Sequence, residues 1–297
     1  MPDAGGRPMS AFVRGSDRLK SLLLALFTGL AAPAVAQDSP PARVVSMNLC
    51  TDQLALMVAA PGQLVSVSYL AVEQAVPPLA EAARALHGNR GLAEEIYRLR
   101  PDLILTGPYT AMTTVAMLER LGLQVERFPL LPSFDAIVED LRRMGRLLHR
   151  EERAAELIAQ FTRDRETLAA RIAGQPQLRA AVYSAQGWTA GAQTLEGEIL
   201  AAAGLVNIAG ELGLGWGGFL PLEALLLADP DRLILGRADG GGGGREGHSQ
   251  ARALLAHPAL RGSRAFRAGA ASNDSGWICG TPYVLEAAAR LIEELGR

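Results

Sequence analysis

Cysteine and histidine are scarce in this chain. Its 297 residues contain two cysteines, Cys50 and Cys279, and four histidines, His87, His149, His248 and His257. No two histidines stand three or four residues apart, so neither a three-histidine zinc cage nor an HExxH helix is supported. No basic tract stands out either, and the formal net charge is −2 with 20% charged residues. Nucleic acid is therefore not an expected partner, because phosphate binding needs clustered Lys and Arg. The glycine-rich stretch Asp239 to Gly247 (DGGGGGREG) lacks GK[ST] and is not a phosphate loop. It reads as a flexible surface loop. Enzyme signatures are equally thin. Gly187-Trp-Thr-Ala-Gly191 imitates a nucleophile elbow, but with threonine and without a histidine partner in the pattern. Gly213-Leu-Gly-Trp-Gly-Gly218 has no clear strand before it and is a poor dinucleotide fingerprint.

Only one segment has the marks of a targeting sequence. Arg14, Arg18 and Lys20 form a positive start, Ser21 to Ala32 is nearly all apolar, and Ala34-Val35-Ala36 is a small-x-small cleavage pattern. The apolar run is short of the roughly 20 residues a bilayer span needs. No second run of 18 apolar residues follows. A lipid-anchored form would need cysteine at the cleavage point, and the first cysteine is Cys50. Residues 1–36 are therefore expected to be a signal peptide and the mature chain a soluble protein of the periplasm. What remains suffices for one large domain or two of about 130 residues.

The informative pattern is a repeat. Glu94-Glu-Ile-Tyr-Arg-Leu-Arg-Pro101-Asp-Leu-Ile-Leu105 returns as Glu223-Ala-Leu-Leu-Leu-Ala-Asp-Pro230-Asp-Arg-Leu-Ile-Leu235. In each copy a short helix ends before proline, the chain turns through Pro-Asp, and an apolar strand follows, as in a parallel sheet buried on both faces. Around the first copy the pattern gives strands at Arg43–Met47, Leu64–Ser68, Leu103–Thr106 and Gln124–Phe128, with helices at Thr51–Ala60 and Thr110–Leu121. Around the second it gives strands at Ala180–Ser184 and Arg232–Leu235, with helices at Thr194–Ala203, Leu220–Ala228 and Pro282–Leu295. Alternating strands and helices indicate βα units and mostly parallel sheets. Between the copies, Ser133 can cap a helical stretch running to about Ala173. From Glu151 its apolar positions Ala154, Leu157, Ile158, Phe161, Leu168 and Ile172 have helical spacing. Residues 151 to 173 would span roughly 35 Å and could bridge two domains. The expected fold is α/β: an N-terminal lobe at 37–132, linking helices at 133–175 and a C-terminal lobe at 176–297.

Candidate ligand contacts lie in loops after strands, where open α/β sheets bind. All three tryptophans, Trp188, Trp216 and Trp277, sit beside glycines. The first half supplies Cys50, Tyr69, Arg90 and Tyr109. Arg90 can meet a ligand carboxylate or phosphate, or a nearby Glu. Asp52 and Thr51 read most simply as helix caps. Cys279 lies beside Trp277 and joins the candidate contacts. For Cys50 and Cys279 three arrangements are open: a disulfide, contact with a soft metal or chelate, or two separate, partly buried thiols. Separate thiols are the expectation, since a bond would tie the lobes together and obstruct ligand entry. Both cysteines are expected on the cleft side of their lobes.

The signal peptide, the RVVSMNLCTDQL start, the two Glu-x6-Pro copies and the long linking helix resemble the iron-siderophore and cobalamin class of periplasmic substrate-binding proteins of ABC importers. The resemblance implies two lobes with short, mostly parallel sheets, a rigid backbone helix between them and a metal chelate held in the cleft. It implies docking of Glu94 and Glu223 on an inner-membrane ABC permease. It implies a monomeric binding protein with no catalytic residues, no resident metal and no cofactor. A corrinoid is preferred to a ferric siderophore, because Arg90 is the one cation assigned to the cleft loops and anionic chelates want several. The rival reading is an enzyme of chelatase-like or nitrogenase-like type on a similar scaffold.

Overall fold

A computed structural model describes residues 39–130, 132–235 and 257–296. The expected signal peptide and the glycine-rich loop at 239–247 lie outside the described residues. The first half builds β1 (Val44–Ser46), α1 (Leu49–Val58), β2 (Leu64–Ser68), α2 (Tyr69–Gln74), α3 (Pro77–Arg84), β3 (His87–Asn89), α4 (Ala93–Arg98), β4 (Leu103–Thr106), α5 (Met112–Arg120) and β5 (Val125–Arg127). Its five strands form one sheet in the order β3-β2-β1-β4-β5, with every neighbouring pair parallel.

Two helices follow, α6 (Phe134–Leu148) and α7 (Glu151–Ile172). Ser133 starts α6 as its sequence suggests, its side chain accepting from the Ala136 N–H at 3.3 Å. The helical stretch is not continuous. His149 adopts a left-handed conformation, φ 53°, and turns the chain into α7. Gly145 lets the two helices meet, since a Cβ there would lie 2.6 Å from that of Ala154. The 22 residues of α7 extend about 33 Å.

The second half adds β6 (Leu178–Tyr183), β7 (Trp188–Thr189), α8 (Leu195–Ala202), β8 (Leu205–Asn207), α9 (Ile208–Glu211), β9 (Gly218–Phe219), α10 (Leu222–Ala228), β10 (Arg232–Leu235), a short helix Arg264–Ala268, β11 (Ala270–Ser272) and the last helix, Val284–Glu294. Its main sheet runs β11-β10-β6-β8, all parallel. β7 and β9 form a separate antiparallel pair.

Each sheet buries both faces, which is why its strands read as apolar runs. Alternate residues divide between layers. Val44, Leu103 and Leu105 of the first sheet, with Ala180, Val182 and Ile234 of the second, enter one continuous core that also holds Phe134, Phe161 and Leu168 of the linking helices. Phe134 and Phe161 meet edge to face with centroids 5.8 Å apart. The opposite faces have cores of their own: Val45, Met47, Ile96, Ile104 and Leu118 in one half, Ala181, Leu225, Leu233, Leu235 and Leu260 in the other.

The Pro-Asp repeat is a backbone clip. Asp102 accepts from the N–H groups of Ala42 and Arg43 at 2.8 and 2.9 Å, its own N–H donates to the Arg43 carbonyl, and the Arg43 guanidinium donates to the Leu99 carbonyl. In the second copy Asp231 accepts from the Arg179 N–H at 2.8 Å, donates its N–H to the Arg179 carbonyl, and the Arg179 guanidinium reaches the Ala228 carbonyl at 2.6 Å. Each clip latches the first strand of its sheet to the turn that feeds β4 or β10. The residue before each proline, Arg100 and Asp229, is left-handed at φ 50° and 39°, because proline disfavours continued α conformation before it. We expect Asp231→Ala, which breaks the half-buried carboxylate end of the second clip, to lower stability by about 1–3 kcal/mol in denaturant unfolding, with Asp102→Ala costing less at its more exposed site.

Candidate functional site

In each sheet the strand order reverses at one place: between β1 and β4 in the first, and between β6 and β10 in the second. Crevices of this kind lie beyond the strand carboxyl ends. Beyond β1, Asn48 caps α1 by accepting from the Cys50 N–H at 3.0 Å. The loop after β4 passes so close that a Cβ on Gly107 would sit 2.6–2.8 Å from the Asn48 side chain. Asn48, not Asp52, is therefore the cap. Thr51 hydrogen-bonds the Ser46 hydroxyl at 2.7 Å. Asp52 is buried and accepts from the N–H and hydroxyl of Ser68, tying α1 to the start of α2.

The cysteines correct the expectation of separate thiols. Cys50 and Cys279 form a disulfide with Cα atoms 5.0 Å apart. Cys50 follows β1 and Cys279 follows β11, so the bond joins carboxyl-end segments of the two sheets. Beside it, the Thr281 hydroxyl reaches the Gln53 side-chain oxygen at 3.5 Å, both side chains being buried. Cys279 is 1% exposed and belongs to the shared core, with Cys50 half-buried against it. The bond thus sits at the packed base of the junction, which removes the steric objection to it.

The tryptophans separate into two kinds. Trp277, 3% exposed, packs in the shared core and has no open face for a ligand, a correction to its place among the candidate contacts. Its turn is fixed instead by Asp274, which caps Gly276 at 2.8 Å and pairs with Arg290 of the last helix at 2.6 Å. Trp188 and Trp216 stay open, at 53% and 67% exposure. Trp188 lies directly across from Phe219 in the β7–β9 pair, and Phe219 is 65% exposed. The two loops are held together by backbone contact. A Cβ on Gly191 would come within 2.2 Å of the Leu214 and Gly215 carbonyls, and one on Gly217 within 2.7 Å of the Thr189 carbonyl. Gly187, at φ 82°, leaves room for the Tyr183 hydroxyl, which donates to the Leu220 carbonyl at 3.2 Å. The result is a stiff support presenting two neighbouring rings.

In the first half Tyr69 opens α2 directly after β2, and Tyr109 follows β4 at 80% exposure. Arg90 follows β3. Its N–H donates to Glu95 at 2.8 Å, and its guanidinium has no partner among the described residues. Tyr69 and Arg90 thus follow the adjacent strands β2 and β3, and Tyr109 follows β4 on the far side of β1. Glu94 and Glu223 are exposed in the first turns of α4 and α10, with no ion pair among the described residues. No cluster of three or more His, Cys, Asp or Glu able to hold a metal occurs among the described residues, and none of their helices is long and apolar enough to cross a membrane. Phe219 and the Gln53–Thr281 pair escaped the sequence reading. The glycines flanking Trp216 and Phe219 were the available signal for the first.

A family model described as periplasmic binding protein matches residues 44–270. The chain belongs to that family. Among members of the periplasmic binding protein family and their relatives, the cobalamin-binding protein of Halobacterium salinarum is 30% identical over 210 residues, which are 68% of this chain and 56% of that protein. The chain thus spans little more than half the length of the curated relative it matches. A periplasmic heme-binding protein from Roseiflexus in apo form superposes with a TM-score of 0.70 at 23% identity, covering 85% of this chain and 97% of the other. The periplasmic vitamin B12 binding protein of Vibrio cholerae gives 0.64 at 18% identity, covering 86% and 97%. At these identities the solved structures establish the shared fold: two-lobed α/β, with parallel sheets flanked by helices.

Asp52 gives a test of the local electrostatics. Burial lifts its carboxyl to a pKa of about 6, against the opposing hydrogen bonds from Ser46 and Ser68. The folded state therefore keeps this proton after the unfolded chain has released it, so the folded protein loses stability as pH rises from about 4 to about 6. The loss is complete above that range and absent below it, and its size is on the order of 3 kcal/mol. Asp140, likewise lifted to about 6 by burial, adds to the slope. Asp52→Asn is expected to reduce, not abolish, the pH dependence of the denaturation midpoint between pH 4 and 7.

Proposed function

We propose that this chain is the periplasmic solute-binding component of an ABC importer and that it carries a bulky, partly apolar metal chelate, a corrinoid in preference to a ferric siderophore or haem. The observation that carries this reading is a set of exposed aromatic rings: Tyr69 and Tyr109 just after β2 and β4 of the first sheet, and Trp188, Trp216 and Phe219 on and beside the β7–β9 pair of the second half. Large exposed rings are costly to leave in water without a use, and each can bury 150–250 Å² against a macrocycle. Arg90 is the one unpaired cation among the described strand-end loops, which suits a ligand of low charge better than a strongly anionic chelate. The cobalamin-binding relative supports the same choice. The scarcity of histidine and the missing catalytic constellation favour binding over chemistry.

Titration of the purified protein with cyanocobalamin, hemin and a ferric hydroxamate, followed by tryptophan fluorescence, tests the ligand. Cyanocobalamin is expected to quench Trp188 and Trp216, and a Trp188→Ala, Phe219→Ala double variant to bind it at least tenfold more weakly. Quenching by hemin or the hydroxamate alone would reject the corrinoid, and no quenching by any of the three would reject the chelate reading.

Glu94 and Glu223 are proposed to dock the permease, one from each half, as exposed carboxylates in equivalent positions of the repeat. The first-turn location also favours each helix by about 0.3–1 kcal/mol, which alone would explain a single copy. Glu94→Ala with Glu223→Ala should abolish uptake in cells while ligand affinity stays within a few-fold. A large loss of affinity would reassign both residues to the binding site. The proposed working form is a monomer in the periplasm.

A further inference from the structure

Three features converge on the junction between the two sheets. A disulfide joins the segment after β1 to the segment after β11, 229 residues apart. Next to it the buried Gln53 and Thr281 side chains meet. Below both lies an apolar core that takes residues from both sheets and both linking helices without interruption. A hinge that swung the sheets apart would have to break the covalent bond, separate the polar pair and wet the core. The Gln53 side-chain amide nitrogen is buried and has no hydrogen-bond partner, so the polar pair makes only one contact across the junction. It is a weak hold by itself, and the bond beside it is the strong one. The exposed rings, by contrast, stand on loops outside this base.

We propose that the Cys50–Cys279 disulfide is an inter-lobe strap that limits how far the strand-end segments of the two sheets can separate in the empty protein. This deepens the binding reading above by assigning Cys50 and Cys279 a positioning role with no need for contact with the ligand. Limiting that separation avoids the affinity penalty that a protein suffers when only a fraction of its molecules is in the competent state. Releasing the strap lets the empty protein sample wider, incompetent arrangements, and apparent affinity falls by the remaining competent fraction.

The test compares the oxidised protein with C50S/C279S by small-angle scattering and amide hydrogen exchange, each with and without cyanocobalamin, after far-UV circular dichroism has checked the fold. Without ligand, C50S/C279S is expected to show a larger radius of gyration than the oxidised protein. Exchange should be faster at residues 48–53 and 277–281 while the outer-face strands keep their protection. Cyanocobalamin should contract C50S/C279S, leave the oxidised radius unchanged, and bind C50S/C279S about tenfold more weakly. Equal radii and equal exchange in the two empty proteins would overturn the strap, as would an oxidised protein that contracts with ligand as much as C50S/C279S. If C50S/C279S does not fold, the same measurements on wild-type protein before and after treatment with a phosphine reductant decide the question. The ligand-free comparison stands even if cyanocobalamin fails to bind, so rejection of the strap and rejection of the corrinoid reading are separate results.

Discussion

The structure depends on two parallel sheets burying one face each in the same core. Val44 and Leu105 from one sheet and Val182 and Ile234 from the other are all nearly inaccessible, and all belong to a single cluster closed by Phe161 and Leu168 of α7. Apolar burial is worth roughly 25 cal/mol per Å², so parting the sheets at their base carries a penalty that grows with every side chain uncovered. The linking helices act less as a rod between independent bodies than as the third wall of this shared interior. Outside this interior stand loops whose side chains are not part of the core. Those loops carry Trp188, Trp216 and Phe219 in one half and Tyr109 in the other.

The two halves keep the same clip and diverge around it. Arg43–Asp102 and Arg179–Asp231 perform the same backbone closure, and the left-handed residue before each proline shows that the turn itself was preserved. The second clip is more elaborate. Arg179 also pairs with Glu211, which pulls the Glu211 carboxyl below its ordinary pKa, and Arg264 joins Asp229 and Asp231. These additions tie α9 to β6 and the short helix at 264–268 to the turn between α10 and β10, so the second half rests on a better-tied base than the first. A scaffold repeated for structural reasons has thus been specialised at its strand ends, where function in α/β folds resides.

Much of this was legible in the chain. Leu64–Ser68, Leu103–Thr106 and Arg232–Leu235 are strands with the bounds their apolar runs suggest, and the helix from Glu151 follows its apolar spacing. What was not legible is short or polar. β3, His-Gly-Asn, is a strand because Ser66 and Asn89 fasten it to β2 through buried side-chain bonds, an arrangement invisible to hydrophobic pattern. β8 and β11 have three residues each, too few for a period to register. The break at His149 looked like helix because αL is a choice of one residue. At the site, glycine neighbours suggest pocket-lining loops for all three tryptophans; Trp188 and Trp216 stand exposed, whereas the Trp277 loop is folded under by Arg290 and Asp274. Composition around a residue says that the chain bends there, and only packing says which way the ring turns.

The cysteines show the same limit from the other side. Two cysteines in a chain expected to be exported are the simplest case for one bridge, and distance in sequence is no argument against it. The objection to a bond, that it would close the cleft, assumed that both thiols faced the ligand. Cys279 instead belongs to the core, which lets a bridge restrain the lobes without filling the space between the rims. In the chain-entropy picture, closing a loop this long stabilises the fold by roughly 5 kcal/mol, added where the shared core already resists opening. A disulfide persists in oxidising compartments and is rare in reducing ones. The bond is therefore support, independent of the leader pattern, for the exported location proposed above.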